Sequence, residues 1–239
     1  MEKKRLFIGI DNGKQGATAI IDENQHIVEV FKYDEKVTTK LYDRLRSYTE
    51  EYELCAFVEK PIVVYGLAHQ TSPFETIGRH KMTLEILNIP YRLGDPAATS
   101  STNWKKIIGL FEDAKSASTK NTKKISDFNK KAREIKVQAE LLGYSVEDLK
   151  SGKIAYMEDR MAELSTRYRE IQKEIGKLKK EKKHDVKQTS VDACLQRFPE
   201  SIQYIEKSGR AIKNKYDDDM AEAILLAECG RTLYANGNF

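Results

Sequence analysis

The sequence predicts an α/β fold, a mixed sheet flanked by helices, with an inserted helical-hairpin or coiled-coil arm. Three observations predict it. Residues 5–33 read as three short apolar strands separated by turns rich in Gly, Asn and Asp. Strand-like and helix-like patterns then alternate to about residue 111. From 115 to 183 the chain turns polar, Lys-rich and proline-free, with apolar residues on a heptad spacing. The expected division is a core of residues 1–114 plus 184–239 and a basic helical insertion of residues 115–183.

In order along the chain, Arg5–Asp11 and Ala17–Ile21 flank Asn12-Gly13-Lys14-Gln15-Gly16, and His26–Tyr33 follows a turn at Asp22-Glu23-Asn24. Together these form a β-meander. Residues 35–51 are expected to be helical, with Val37, Leu41 and Leu45 at i, i+4 spacing. Leu54–Glu59 reads as a short buried strand closed by Pro61. Thr76–Leu87 reads as a helix with Met82, Ile86 and Leu87 on its apolar side, Tyr91–Leu93 as a strand, and Asn103–Phe111 as a helix carrying Trp104, Ile107, Ile108 and Phe111.

In the insertion, Ile125, Phe128, Ala132, Ile135, Ala139 and Leu142 are spaced 3,4,3,4,3. Met157, Met161, Leu164, Tyr168, Ile171, Ile175 and Leu178 are spaced 4,3,4,3,4,3. Both are seams of a left-handed coiled coil. The linker starts at Gly143, holds Ser145-Val146-Glu147-Asp148 as a helix cap, and includes Gly152. An antiparallel hairpin projecting from the core, or pairing with the same segment of a second subunit, both satisfy the pattern. Two further helices, Val186–Phe198 and Lys215–Tyr234, complete the core.

Composition narrows the class. No apolar run approaches 18 residues, so no transmembrane helix is expected. The apolar stretch after Met1-Glu2-Lys3-Lys4-Arg5 is too short for a signal peptide. Cys55, Cys194 and Cys229 form neither a zinc pattern nor a disulfide framework, and His26, His69, His80 and His184 show no ligand spacing. A reducing, cytoplasmic setting is the expectation. The net charge of +4 is uneven: residues 115–183 hold 19 Lys/Arg against 11 Asp/Glu, whereas the remainder holds 22 against 26. That concentration of positive charge points to a polyanionic partner or to a solvated helical surface.

Four acids carry the chemistry. Asp11 ends the apolar run Phe7-Ile8-Gly9-Ile10, and Glu59 ends Ala56-Phe57-Val58. Asp219 and Glu222 stand in Asp217-Asp218-Asp219-Met220-Ala221-Glu222. Carboxylates at the ends of buried strands cost folding free energy unless compensated, and several together resist full ionisation. A divalent cation relieves both, and magnesium prefers oxygen ligands. Asp219 and Glu222 lie i, i+3 on one helical face; Asp218, at i, i+4 from Glu222, competes with Asp219 for the same role.

The meander with Asp on its first strand, a Glu on a later strand and acids on the last helix resembles the ribonuclease H-like arrangement. Phe7-Ile8-Gly9-Ile10-Asp11-Asn12-Gly13 and Phe57-Val58-Glu59-Lys60-Pro61 resemble the first two acidic motifs of RuvC-type Holliday-junction resolvases. Asp95-Pro96 with Asn103-Trp104-Lys105-Lys106-Ile107-Ile108-Gly109-Leu110 looks like a segment of phage and organellar members. Val186-Lys187-Gln188-Thr189-Ser190 looks like their basic helix, and Asp219-Met220-Ala221-Glu222-Ala223 like their last acidic motif. The insertion at 115–183 departs from the family pattern.

The resemblance implies a homodimeric endonuclease that resolves four-way DNA junctions by paired metal-dependent cuts. It implies two magnesium ions per site, manganese being a substitute, about 3.5–4 Å apart. Asp11, Glu59, Asp219 and Glu222 would be the ligands, with Lys187 stabilising charge at the scissile phosphate. Lys60, Lys105, Lys106 and Lys187 would contact DNA. Trp104 reads as a core residue and Tyr65 as a surface-loop residue. The competing readings are a related nuclease acting on flaps, single strands or RNA, an actin-like or sugar-kinase-like ATPase, and a non-catalytic DNA-binding protein. The ATPase reading lacks a phosphate-loop signature.

Overall fold

A computed structural model of the chain describes residues 3–12, 16–32, 39–61, 71–95, 103–110, 112, 115, 116, 119, 121–151, 159–207 and 215–239. The polypeptide forms two compact units, Met1–Ala114 with Gln188–Phe239, and Lys115–Lys187.

The first unit is built on five strands: β1 (Lys4–Ile10), β2 (Ala17–Asp22), β3 (Ile27–Lys32), β4 (Tyr52–Glu59) and β5 (Tyr91–Gly94). Their order is β3-β2-β1-β4-β5. β1 pairs antiparallel with β2, and β2 with β3, as consecutive hairpin strands do. β4 joins β1 in parallel, and β5 joins β4 in parallel, each after a helical crossover. α1 (Thr39–Thr49) leads into β4, and α2 (Thr71–Ile86) into β5. This is ribonuclease H-like topology, with β1 at the centre.

Side chains alternate across such a sheet, so each strand feeds two cores. Leu6, Ile8 and Ile10 of β1, with Leu54, Ala56 and Val58 of β4, pack against Leu41 and Leu45 of α1 and Leu84 of α2. Phe7 of β1, Cys55 and Phe57 of β4, and Ala17, Ala19 and Ile21 of β2 face the opposite way, onto α8 (Asp218–Ala235). α8 approaches the sheet very closely. A Cβ on Gly9 would stand 2.0 Å from the Ala223 carbonyl oxygen and 2.3 Å from the Ala227 nitrogen, so only glycine fits there.

Two helices depart from the sequence pattern. In α2 the presumed apolar residues Met82 and Ile86 are 58% and 59% exposed. The buried positions are Thr76, His80, Thr83 and Leu84, with Leu87 just beyond packing on the same core. They form a regular i, i+4, i+7, i+8, i+11 face whose polar members hide it from an apolar count. α3 is a single turn, Trp104–Ile107, capped by the Asn103 side chain and ended before Gly109, whose φ of +74° no continuing helix allows. Phe111 lies outside the described residues.

In the second unit, α4 (Thr122–Leu141), α5 (Val146–Ser151) and the first part of α6 (Asp159–Arg197) share one core. Ala132, Ile135 and Ala139 of α4 meet Leu149 of α5 and Met161, Leu164 and Tyr168 of α6. The Asn121 amide donates to Glu181 at 3.4 Å, and Lys182 to the Thr122 hydroxyl at 3.3 Å. The start of α4 therefore lies beside residues 181–182, and the two seams pair within one chain as an antiparallel hairpin. The anticipated cap at Ser145 is present: Asp148 accepts from the Ser145 amide at 2.7 Å, and the Asp148 amide donates to the Ser145 hydroxyl at 3.2 Å. Met157 and Gly152 lie outside the described residues.

α6 is one helix of 39 residues, so the separate helix expected from Val186 is its continuation. No proline or cap signal interrupts residues 160–197, and helix-favouring Lys and Glu fill the stretch. A 3₁₀ turn at Pro199–Ser201 and the short α7 (Ile202–Ile205) then lead toward α8. Among the described residues no helix is long and apolar enough to cross a membrane.

Candidate active site

β1 and β4 run parallel, with Gly9 opposite Phe57 and Ile10 opposite Val58. The next step of that register sets Asp11 beside Glu59, at strand ends spaced about 4.8 Å in such a sheet. Both follow the alternation of Phe7, Gly9, Cys55 and Phe57, and so face α8. The close approach at Gly9 lays Ala223 of α8 over β1. Glu222, the preceding residue, is thereby carried to the same edge of the sheet.

The electrostatics are those of crowded acids. Asp11 is buried beside Glu59. Burial, and then the charge of Glu222, push the Glu59 carboxyl up to about 7. The Trp104 indole N–H opposes that rise by donating to Glu59 Oε1 at 2.7 Å. Lys105, the next residue in α3, donates to Glu222 Oε1 at 2.9 Å and stands 4.8 Å from the centre of the Trp104 ring. The Ser190 hydroxyl of α6 donates to the same Glu222 oxygen at 2.8 Å. One helical turn thus serves both acids with successive side chains.

Of the residues marked in the sequence, Asp11, Glu59 and Glu222 come together, and Lys105 joins them. Asp219 is held elsewhere: its Oδ2 pairs at 2.9 Å with Lys32 of β3, which also pairs at 2.7 Å with Asp217, the N-cap of α8. β3 is the strand farthest from β4 on that side, so Asp219 leans away from Glu59. Asp218, half-buried at i, i+4 from Glu222, remains its competitor. Lys60 is half-buried, and its amide bonds the Gly94 carbonyl at 2.8 Å. Lys106 is exposed on α3. Lys187 is half-buried and belongs to the second unit as its last residue. Tyr65 lies outside the described residues. Trp104 is wholly buried, as a core residue should be, yet its N–H makes it part of the site. Ser190 and Lys32 had no assigned part, because their partners stand 32 and 187 residues away in the chain.

Whether the donor set suits a divalent cation follows from its chemistry. All the acidic donors are hard oxygens, the type magnesium takes. Among the described residues no three His, Cys, Asp or Glu side chains make a ready cage. Magnesium does not require one, since it is commonly held by one or two carboxylates with waters and substrate phosphate completing its shell. Asp11 and Glu59, neighbouring carboxylates with Glu222 close by, would suit such an ion, whose charge would relieve the repulsion that raises Glu59. The residues fit the ion.

Neither a protein-family model nor a curated protein matches the chain.

Proposed function

We propose that this protein is a metal-dependent endonuclease that resolves four-way DNA junctions. The observation that carries the reading is the placement of Asp11 and Glu59 side by side at the ends of adjacent parallel strands, within the field of Glu222. A buried acid pair of that kind, its Glu59 raised by burial and by a third acid, suits a phosphoryl-transfer site that a cation joins. Asp11, Glu59 and Glu222 would hold magnesium, and Asp219 would take part only by leaving Lys32. Bound magnesium supplies activation of the attacking water and neutralisation of charge at the scissile phosphate.

The chain's own groups do the rest. Lys105 carries a positive charge beside the acids, where it can donate to a phosphate oxygen as charge develops. Trp104 fills the base of the site and keeps solvent from one side of Glu59. The excess of Lys and Arg between 115 and 183 suits the DNA backbone, which dominates affinity without reading sequence. Two symmetric cuts need two sites, and a C2 homodimer supplies them. The junction preference rests on the RuvC-type motifs at Asp11, Glu59, Trp104 and Glu222.

The test incubates a labelled four-way junction and its matched duplex with protein, with and without magnesium, and maps the nicks. Paired symmetric nicks in the junction alone, dependent on magnesium, are expected. Asp11→Asn is expected to keep junction binding and to lose cleavage. Equal cutting of junction, flap and duplex would move the reading to a general nuclease. Salt-sensitive binding without cleavage in any divalent metal would make the protein a binding module.

A further inference from the structure

We propose that Ser190 is a positioning residue for this site, holding Glu222 so that one oxygen is fixed and the other is presented to the cation. The inference rests on the nuclease reading above. Ser190 is 1% exposed, on the inner face of α6. Its hydroxyl lies in a closed triangle: 2.8 Å to Glu222 Oε1, 3.1 Å from Lys105 Nζ, with Lys105 itself 2.9 Å from the same Oε1.

The direction of each bond is fixed by chemistry. An ammonium group has no acceptor, so Lys105 must donate to the Ser190 oxygen. The single hydroxyl hydrogen is then left for Glu222. Both bonds converge on Oε1, and among the described residues Oε2 takes no hydrogen bond. Ser190 therefore ties down Oε1 together with Lys105, and it seats Lys105 at the same time. Groups that orient metal-binding carboxylates in this way typically set affinity by about 10–100-fold.

A cation-binding assay independent of cleavage is available in the chain itself. Trp104 is the only tryptophan, and its N–H lies 2.7 Å from Glu59. Terbium(III), a hard oxygen-seeking ion, will luminesce on indole excitation when bound there. Terbium is titrated into wild type, Ser190→Ala, Ser190→Cys and Ser190→Thr, with magnesium as competitor, and the urea midpoint of each is recorded. The expected result is binding weakened about 10–100-fold in the Ala and Cys variants at an unchanged urea midpoint. Thr, which keeps the hydroxyl, is expected to restore it. If Ala lowers the midpoint, the near-isosteric Cys variant decides. Wild-type affinity in Ala or Cys overturns the role of Ser190 while leaving the metal site standing. No sensitised binding in wild type, or binding that survives Asp11→Asn with Glu59→Gln, overturns the metal site and this inference with it.

Discussion

Replacing Glu59 by glutamine isolates what the acid cluster costs the fold. The Glu59 carboxyl rises from 4.5 to about 7 because it is buried and faces Glu222. A carboxyl raised on folding binds its proton more tightly in the native state than in the unfolded chain. Stability is then greatest below pH 4.5, falls between pH 4.5 and about 7, and levels off above. At about 1.4 kcal/mol per pH unit, the full loss is about 3 kcal/mol. Glutamine keeps an acceptor for the Trp104 N–H and carries no charge for Glu222 to repel. Glu59→Gln is therefore expected to match wild type near pH 4.5 and to exceed it by up to about 3 kcal/mol at pH 8. The assay is urea unfolding at both pH values followed by fluorescence of Trp104, which reports the first unit alone. Taking the difference between the two proteins cancels the other carboxylates, such as Asp22, whose bonds to His26 and Asn24 hold it below its usual range. A constant difference across that pH range, or a variant less stable at pH 8, would refute the reasoning.

Four more expectations follow from the packing. Gly9→Ala forces a Cβ against two backbone atoms of α8 and should cost at least the usual overpacking penalty of about 1–3 kcal/mol, read from the Trp104 urea midpoint. Asp217→Ala removes the α8 cap on Met220 N and should cost about 1 kcal/mol in the same assay. Asp219→Asn loses one partly exposed pair with Lys32, worth no more than about 1 kcal/mol, and should weaken terbium binding less than Glu222→Gln. Leu149→Ala empties the centre of the hairpin core and should cost about 2–5 kcal/mol there, seen as faster protease nicking between residues 122 and 182.

The sequence made the strand-end acids legible because each closes an unbroken apolar run, Phe7–Ile10 before Asp11 and Ala56–Val58 before Glu59. The hairpin was legible for a similar reason: heptads record a seam whether or not the partner is known. Intrachain pairing was not, since a heptad is silent about which helix it meets; the Asn121–Glu181 contact settles it. The face of α2 was misread because Thr76, His80 and Thr83 are buried there while Met82 and Ile86 are not. The parts of Ser190 and Lys32 were invisible because each acts through a residue far off in the chain. The pull of Lys32 on Asp219 shows why an i, i+3 spacing alone could not choose between Asp218 and Asp219.

The contact between Gly9 and Ala223 has a consequence for synthesis. These residues lie more than 200 positions apart, and the whole inserted hairpin is made between them. At about 5–20 residues per second, β1 waits roughly 10–40 s for the helix that covers it. Until then Phe7, Ala19 and Phe57 have no α8 to pack on, and the emerging sheet offers one apolar face to its surroundings. Long-range pairing of this kind slows folding. A chain released before residue 218 has strands but neither the α8 cover nor Glu222.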